Sequence, residues 1–350
     1  MKKIFILFFG CLFFIAACAQ DIKVDSKFTN TARKLDTKNT LQTIAFGSCN
    51  NQGKSQEMWK HVVKNKPDLW IWLGDIIYAD TKNMQVMADK YSSLKNNMDY
   101  RRLLACSPVI GIWDDHDFGW NDAGKEYPMK NESKRLLLDF LDVPKDTLVR
   151  AREGIYQSYV FGEKGKKIKI ILLDTRFFRD NVERTTGRNK RYIVNNEGDV
   201  LGDAQWVWLE KELESSDAQI NIIASGYQII SKEHRFEKWG NFPKARARLF
   251  KLLQKVKPAM PILITGDRHI AELSRIRLVG LENPLFEITS SGLTHTWSEK
   301  RKEANQYRVG DLIIEKNFGL FKIDWSGEQP KVTVEVRGLN NVLFLKKGLF

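Results

Sequence analysis

An α/β fold with central sheets is predicted by three features of the chain. Short runs of four to six residues are apolar throughout, amphipathic stretches separate them, and most runs end in Gly, Asp or Ser. Runs without alternation suit strands covered on both faces, and their regular exchange with helical stretches suits sheets flanked by helices.

In chain order, strands are expected at 43–46, 69–73, 109–113, 168–173, 220–224 and 262–265. Amphipathic helices are expected at 55–64, 88–104, 132–141, 203–213 and 245–256. Asp203, ahead of Ala-Gln-Trp-Val-Trp-Leu, reads as an N-cap, and Asn131 as the cap of the helix after it. From residue 285 onward strands and turns take over, with 318–325 and 331–337 separated by Ser-Gly-Glu-Gln-Pro. No repeat, low-complexity block or long linker follows residue 41, so 41–350 reads as one domain.

The 350 residues are 43% hydrophobic, 11% aromatic and 28% charged, with a mean hydropathy of −0.38. Disorder needs far fewer aromatics and a polytopic membrane protein needs several long apolar spans, so both are excluded for the bulk of the chain. Lys and Arg number 56 against 43 Asp and Glu, giving +13 and a pI near 9.4. Such a balance suits phosphate esters, nucleic acid or acidic lipid as partners. No helix-turn-helix, RNA-binding or zinc-finger pattern is present, and runs such as 164–169 read as a solvated hairpin, so no specific nucleic-acid binding is expected.

Lys2 and Lys3 precede an apolar stretch from Ile4 to Ala17, shorter than the roughly 20 residues a membrane span requires. Residues 1–17 therefore read as an export signal. Ile15-Ala16-Ala17-Cys18 has the form of a lipobox, in which an acylated Cys18 anchors the protein to a membrane facing the periplasm or cell exterior. Ala17-Cys18-Ala19 also suits an ordinary signal peptidase, which would release a soluble exported protein. The polar stretch that follows makes 18–40 a tether. Cys49 and Cys106 remain for the folded part, where they could form a disulfide.

Four strand ends carry metal-competent groups: Gly47-Ser48-Cys49-Asn50, Gly74-Asp75 through Tyr78 to Asp80, Asp114-Asp115-His116-Asp117, and Gly266-Asp267-Arg268-His269. Open α/β sheets collect ligands beyond their strand ends. Thiolate and imidazole favour a transition metal, while carboxylate and amide oxygens favour a hard cation, so a mixed metal pair is implied. Arg176, in Leu-Asp-Thr-Arg, and Arg268 could each take a phosphoryl oxygen, although Arg176 could equally pair with Asp174.

The ordered series GSCN, LGDIIYAD, IWDDHDFGWNDAG, GIYQSYVFG, LLDTR and ITGDRHIAE resembles the PhoD-like alkaline phosphatases of the calcineurin-like metallophosphoesterase superfamily, from about residue 44 to 296. The resemblance implies a four-layer αββα sandwich of two mixed β-sheets flanked by helices, with metals at the sheet edge. It implies an exported hydrolase of phosphoric ester bonds that attacks phosphodiesters, and phosphomonoesters as a second class, with hydroxide made on a metal.

Carried over by motif, the resemblance makes Cys49 an iron ligand, Asp75 the carboxylate bridging two metals and Tyr78 a phenolate ligand of Fe³⁺. It gives Asp267 to Ca²⁺ or another divalent metal, His269 to iron, and His116 to the substrate oxygen. Asp115 stands where the wider superfamily has an amide ligand, so Asn121 competes with it for the hard cation. The family's founding type has an extra N-terminal β-domain where this chain has a tether, so substrate access is expected to differ.

Against these roles stand plainer ones: a buried Cys49 thiol, a Tyr78 packed under a turn, and turn aspartates at 75 and 267. Most tryptophans fall at core spacing, while Trp120 and Trp239 read as pocket walls, and His234 and His295 as surface or rim. The loop 179–202, rich in Arg, Lys and Asn, is expected to cover the site and set substrate choice. Two further functions fit the sequence: a phospholipase- or nucleotide-directed phosphodiesterase, and a catalytically silent polyanion-binding lipoprotein. No obligate protein partner is inferred.

Overall fold

The computed structural model describes residue 28 and residues 31–186, 192–297 and 303–350. The signal segment and Cys18 lie outside the described residues. Among the described residues no helix is long and apolar enough to cross a membrane.

Two six-stranded mixed sheets carry the fold. In the first, β1 (Thr43–Gly47), β2 (Leu69–Leu73) and β3 (Val109–Ile112) run parallel. The antiparallel strands β10 (Asn317–Asp324), β11 (Lys331–Gly338) and β12 (Leu343–Gly348) extend this sheet from the β1 side. In the second, β5 (Ile168–Leu172), β6 (Ile220–Ser225), β7 (Pro261–Thr265) and β9 (Leu285–Ser290) are parallel. Antiparallel β4 (Gln157–Phe161) and β8 (Ala271–Ile276) close its two edges.

Strand alternation explains the layers. Ile170, Ile222, Ile264 and Ile288 project to one side of the second sheet and share a core with Phe46, Ile71 and Phe321 of the first. Their neighbours Ile171, Ile223, Leu263 and Leu285 project to the other side, onto α5 (Gly202–Glu214) and α6 (Pro243–Val256). Burying each such side chain contributes about 1.5–3 kcal/mol. On the outer face of the first sheet, Trp59 of α1 (Met58–Lys64) packs edge-on to Trp70 and Trp72 at 4.9 and 5.2 Å.

Several expectations change. The single helix expected at 88–104 is two, α2 (Met84–Asn96) and α3 (Met98–Cys106), because Asn97 is extended and caps α3 through its side chain. Met129 and Leu201, not Asn131 and Asp203, precede α4 (Lys130–Phe140) and α5; Asp203 lies inside its helix and is exposed. The tether is partly docked. Phe28, Ala32 and Leu35 pack on the core, and the Arg33 N–H donates to Leu104 O at 2.8 Å. Cys49 and Cys106 are free thiols, so the disulfide is not formed. Trp239 is fully buried with its indole N–H on Ser225, and His234 is buried as well, so neither sits at a pocket wall or rim.

Candidate metal centre

The parallel strands of both sheets end at the same place. Gly266 follows β7 so closely against Leu73 O that a Cβ there would lie 2.4 Å from that oxygen. Gly74 has a positive φ of 89°, and a Cβ on it would sit 2.3 Å from the Cβ of Asp114. Side chains at either position would push the β2, β3 and β7 loops apart. Cys49, Asp75, Asp80, Asp267 and His269 also hold left-handed backbone conformations, with φ between 45° and 67°. Non-glycine residues adopt that region at a cost, so the surrounding contacts must hold these loops in place.

Three groups of potential ligand atoms result, each within 4.8 Å of one another: Cys49, Asp75 and His269; Asp75, Asp115 and His116; and Asp75, Asp114, Asp115 and Asp267. Asp75 belongs to all three. The Cys49 thiol points at Asp75 Oδ2 from 3.4 Å, as does the Tyr78 hydroxyl, also at 3.4 Å. That hydroxyl lies 3.0 Å from His269 Nε2. Among the described residues, nothing hydrogen-bonds Asp75 Oδ1, Asp114 Oδ2 or Asp115 Oδ1, although all three are buried.

This donor set fits cations. Buried carboxylate oxygens without donors are costly, and several crowded together repel unless positive charge sits among them. Burial pushes the carboxyls of Asp75 and Asp114 well above the usual range. Burial, reinforced by Asp115, raises Asp267 to about 6. Burial, then the charges of Asp75 and Asp267, push the Cys49 thiol up. Burial and Cys49 do the same to the Tyr78 phenol. A coordinated cation reverses this order by displacing those protons. Around Asp75, Cys49 and His269 form one group of potential ligands, with the Tyr78 hydroxyl beside His269, and Asp114, Asp115 and Asp267 form another made of carboxylates alone.

Asp115 is buried in the cluster while Asn121 is exposed and donates to Asp122 at 2.6 Å, so the structure brings in the carboxylate and leaves the amide out. His116 packs against the Tyr78 ring with centroids 4.2 Å apart and planes tilted by 32°, and its Nδ1 lies 2.8 Å from Asp80. Burial alone would lower the His116 pKa, but Asp115, Asp75 and Asp80 outweigh it and carry it to about 11. His295 lies edge-on to Tyr78 and His269, and Trp297 stacks on His269 with rings 9° from parallel.

Both arginines are displaced from their expected role. Arg176 is fully buried: its Nε and Nη2 lie 2.7 and 2.6 Å from Asp114 Oδ1, and Nη1 lies 2.7 Å from Glu237. Its partner is thus Asp114 rather than Asp174, which instead accepts from the Trp113 indole and three backbone N–H groups. Arg268 is buried against Glu303 and over the Phe236 ring. Neither guanidinium is open to a phosphoryl oxygen.

Asp114, Asp80, Asp117 and Glu237 join the cluster or its surroundings without an individual role predicted from the sequence. Asp114, Asp80 and Asp117 stood in the quoted motifs, and Asp117 knits the β2 and β3 loops by accepting from the N–H groups of Asp114, Asp75 and Ile76. Glu237 carries no local motif; the fold alone brings it to Arg176.

A family model described as PhoD-like phosphatase matches residues 44–329. The chain belongs to the PhoD-like phosphatase family. It is similar to alkaline phosphatase D of Bacillus subtilis, 23% identical over 317 residues, covering 75% of this chain and 53% of that one. It thus spans about half the length of that relative. Among solved structures, PhoD superposes with a TM-score of 0.68 at 16% identity, covering 91% of this chain and 73% of the other. A dimetal phosphatase from Danio rerio gives 0.56 at 12% identity, over 89% of this chain and 100% of that one. GAP50, the anchor in the inner membrane complex of Plasmodium, gives 0.55 at 11% identity, over 88% and 89%. These likenesses establish the PhoD-like fold.

Proposed function

We propose that this PhoD-like chain is an exported, metal-dependent phosphoesterase that hydrolyses phosphodiesters, with phosphomonoesters as a second substrate class. The observation that carries the reading is the place of Asp75 in all three ligand groups, the position of a carboxylate shared by two cations. Cys49, Tyr78 and His269 would hold iron, and Asp115, Asp267 and Asp114 a hard cation such as Ca²⁺. A bound pair supplies Lewis acidity toward phosphoryl oxygens and a water acidified toward neutrality.

The protein's own groups do the rest. His116, partly exposed and held by Asp80, would protonate the leaving oxygen, a contribution of about 10²- to 10⁴-fold. Tyr78 packs against the His116 ring, and Asp80 fixes which ring nitrogen faces outward. Export and acylation of Cys18 belong to the same proposal, supported by the lipobox-like Ile15-Ala16-Ala17-Cys18.

Turnover of an aryl phosphodiester and of the matching monoester, with Ca²⁺ or with chelator and beside Asp75→Ala, tests the reading. Chelator-sensitive hydrolysis that vanishes in Asp75→Ala is expected, and the ratio of the two rates sets the substrate class. Hydrolysis that survives both treatments would sink the two-metal reading.

A further inference from the structure

Arg176 and Arg268 are shut away, so neither supplies a guanidinium that a phosphate ester can reach. The loop after β5 brings one. Arg184 forms an antiparallel bridge with Tyr192 across the loop, stacks on its ring at 4.8 Å and donates to its hydroxyl at 2.5 Å. The guanidinium rests against the Asp122 carboxylate, with the Arg184 side chain 47% exposed. Asp122 is one step from the metal centre, because its backbone N–H donates to Asp115 Oδ2 at 2.7 Å. Tyr192 lies within the same field: burial, with Glu237, Asp267 and Asp115, pushes its phenol well up. Three nearby lysines are committed elsewhere. Lys82 covers the Trp120 ring, Lys90 donates to two backbone carbonyls, and Lys125 pairs with Asp180.

We propose that Arg184 is the substrate-binding cation of this site, leaving the Asp122 carboxylate to bind a non-bridging oxygen of a phosphate ester or of inorganic phosphate. The inference rests on the phosphoesterase reading for its substrate, but phosphate binding does not. Arg is suited to the exchange because its planar fork matches phosphate as well as carboxylate, and Asp122 keeps it placed while the site is empty. The Asp122 carboxylate then competes with the ligand.

The test is calorimetric titration of the metal-loaded protein with inorganic phosphate, beside the KM and kcat for an aryl phosphodiester. The chains compared are wild type, Arg184→Ala, Arg184→Lys and Asp122→Asn, each with its metal content measured. Arg184→Ala should weaken phosphate and raise KM about tenfold, with kcat and metal content nearly unchanged. Arg184→Lys should recover part of the loss, and Asp122→Asn, whose left-handed backbone suits Asn, should bind phosphate a few-fold tighter. Unchanged phosphate affinity in Arg184→Ala overturns the proposal, as does a loss of metal from that variant. Arg184-dependent phosphate binding without hydrolysis of any ester would defeat the phosphoesterase reading and leave this one standing. Hydrolysis by the wild type with the same KM in Arg184→Ala would do the reverse.

Discussion

Arg176 holds Asp114 by a single oxygen. Both Nε and Nη2 of the guanidinium reach Asp114 Oδ1, at 2.7 and 2.6 Å, and Oδ2 is left without a hydrogen bond in a cluster of buried carboxylates. The pair is completely buried, and it positions Asp114 and places one positive charge behind four acids.

Arg176→Met should therefore lower metal affinity by about 10- to 100-fold, the range seen when a residue that orients a ligand is lost. Removing the guanidinium also strands Asp114 and Glu237 as buried charges, costing about 3–5 kcal/mol of stability. Metal content after dialysis and a denaturant melt check both. A variant with full metal occupancy and unchanged stability would contradict this account.

Cys49→Ser should lose the transition metal while retaining the hard cation, since only the soft half of the cluster is changed. Cys106→Ser should leave metal content and activity alone, because Cys106 hydrogen-bonds its own helix and Ser107. Elemental analysis of the two variants separates the roles.

Asp80→Asn removes a carboxylate that helps to keep His116 protonated. The His116 pKa must then fall. With His116 as the acid, the alkaline limb of the kcat profile should move to lower pH in Asp80→Asn, with little change in KM. Cations beside Asp75 and Asp115 would lower the His116 pKa in both proteins, so the sign of the difference is the readout.

Glu287 supplies a pH test away from the metal centre. It is fully buried, accepts from the Ile229 and Ile230 N–H groups, and burial lifts its pKa to about 7. The folded state holds this proton over a range where the unfolded chain, with a pKa of roughly 4.3, has released it. The contribution is full below the unfolded value and is lost as pH rises toward 7, by up to about 3 kcal/mol. Urea melts from pH 5 to pH 8 should show a decline in stability that is flatter in Glu287→Gln. An identical pH slope in the two proteins would rule the mechanism out.

Much of the fold was legible because buried strands declare themselves by composition. Every strand expected from 43–46 through 331–337 is present to within a residue or two, since a run such as Leu-Trp-Ile-Trp-Leu suits a position covered on both faces. The helix break at Asn97 was less visible, because a side chain that caps one helix looks like any polar residue inside a longer one. The docked segment before residue 41 rests on Phe28, Ala32 and Leu35, apolar residues too sparse to show a period.

For the site, the sequence by itself determined which chemical groups stand at which strand ends: Cys49, Asp75 with Tyr78, Asp115 with His116, and Asp267 with His269. That follows because strand ends are local features and ligand chemistry belongs to residue type. Only the tertiary structure decided how those ends meet, that Asp75 is shared by three groups, and that Asp114 joins them. It also decided the fate of the arginines. An Arg at a strand end reads the same whether it faces solvent or an acid, and the buried charges of Asp114 and Glu237, distant in sequence, claim Arg176. The pairing of charges in a low-dielectric interior is set by what the fold brings within a few ångströms, and no local pattern records that distance.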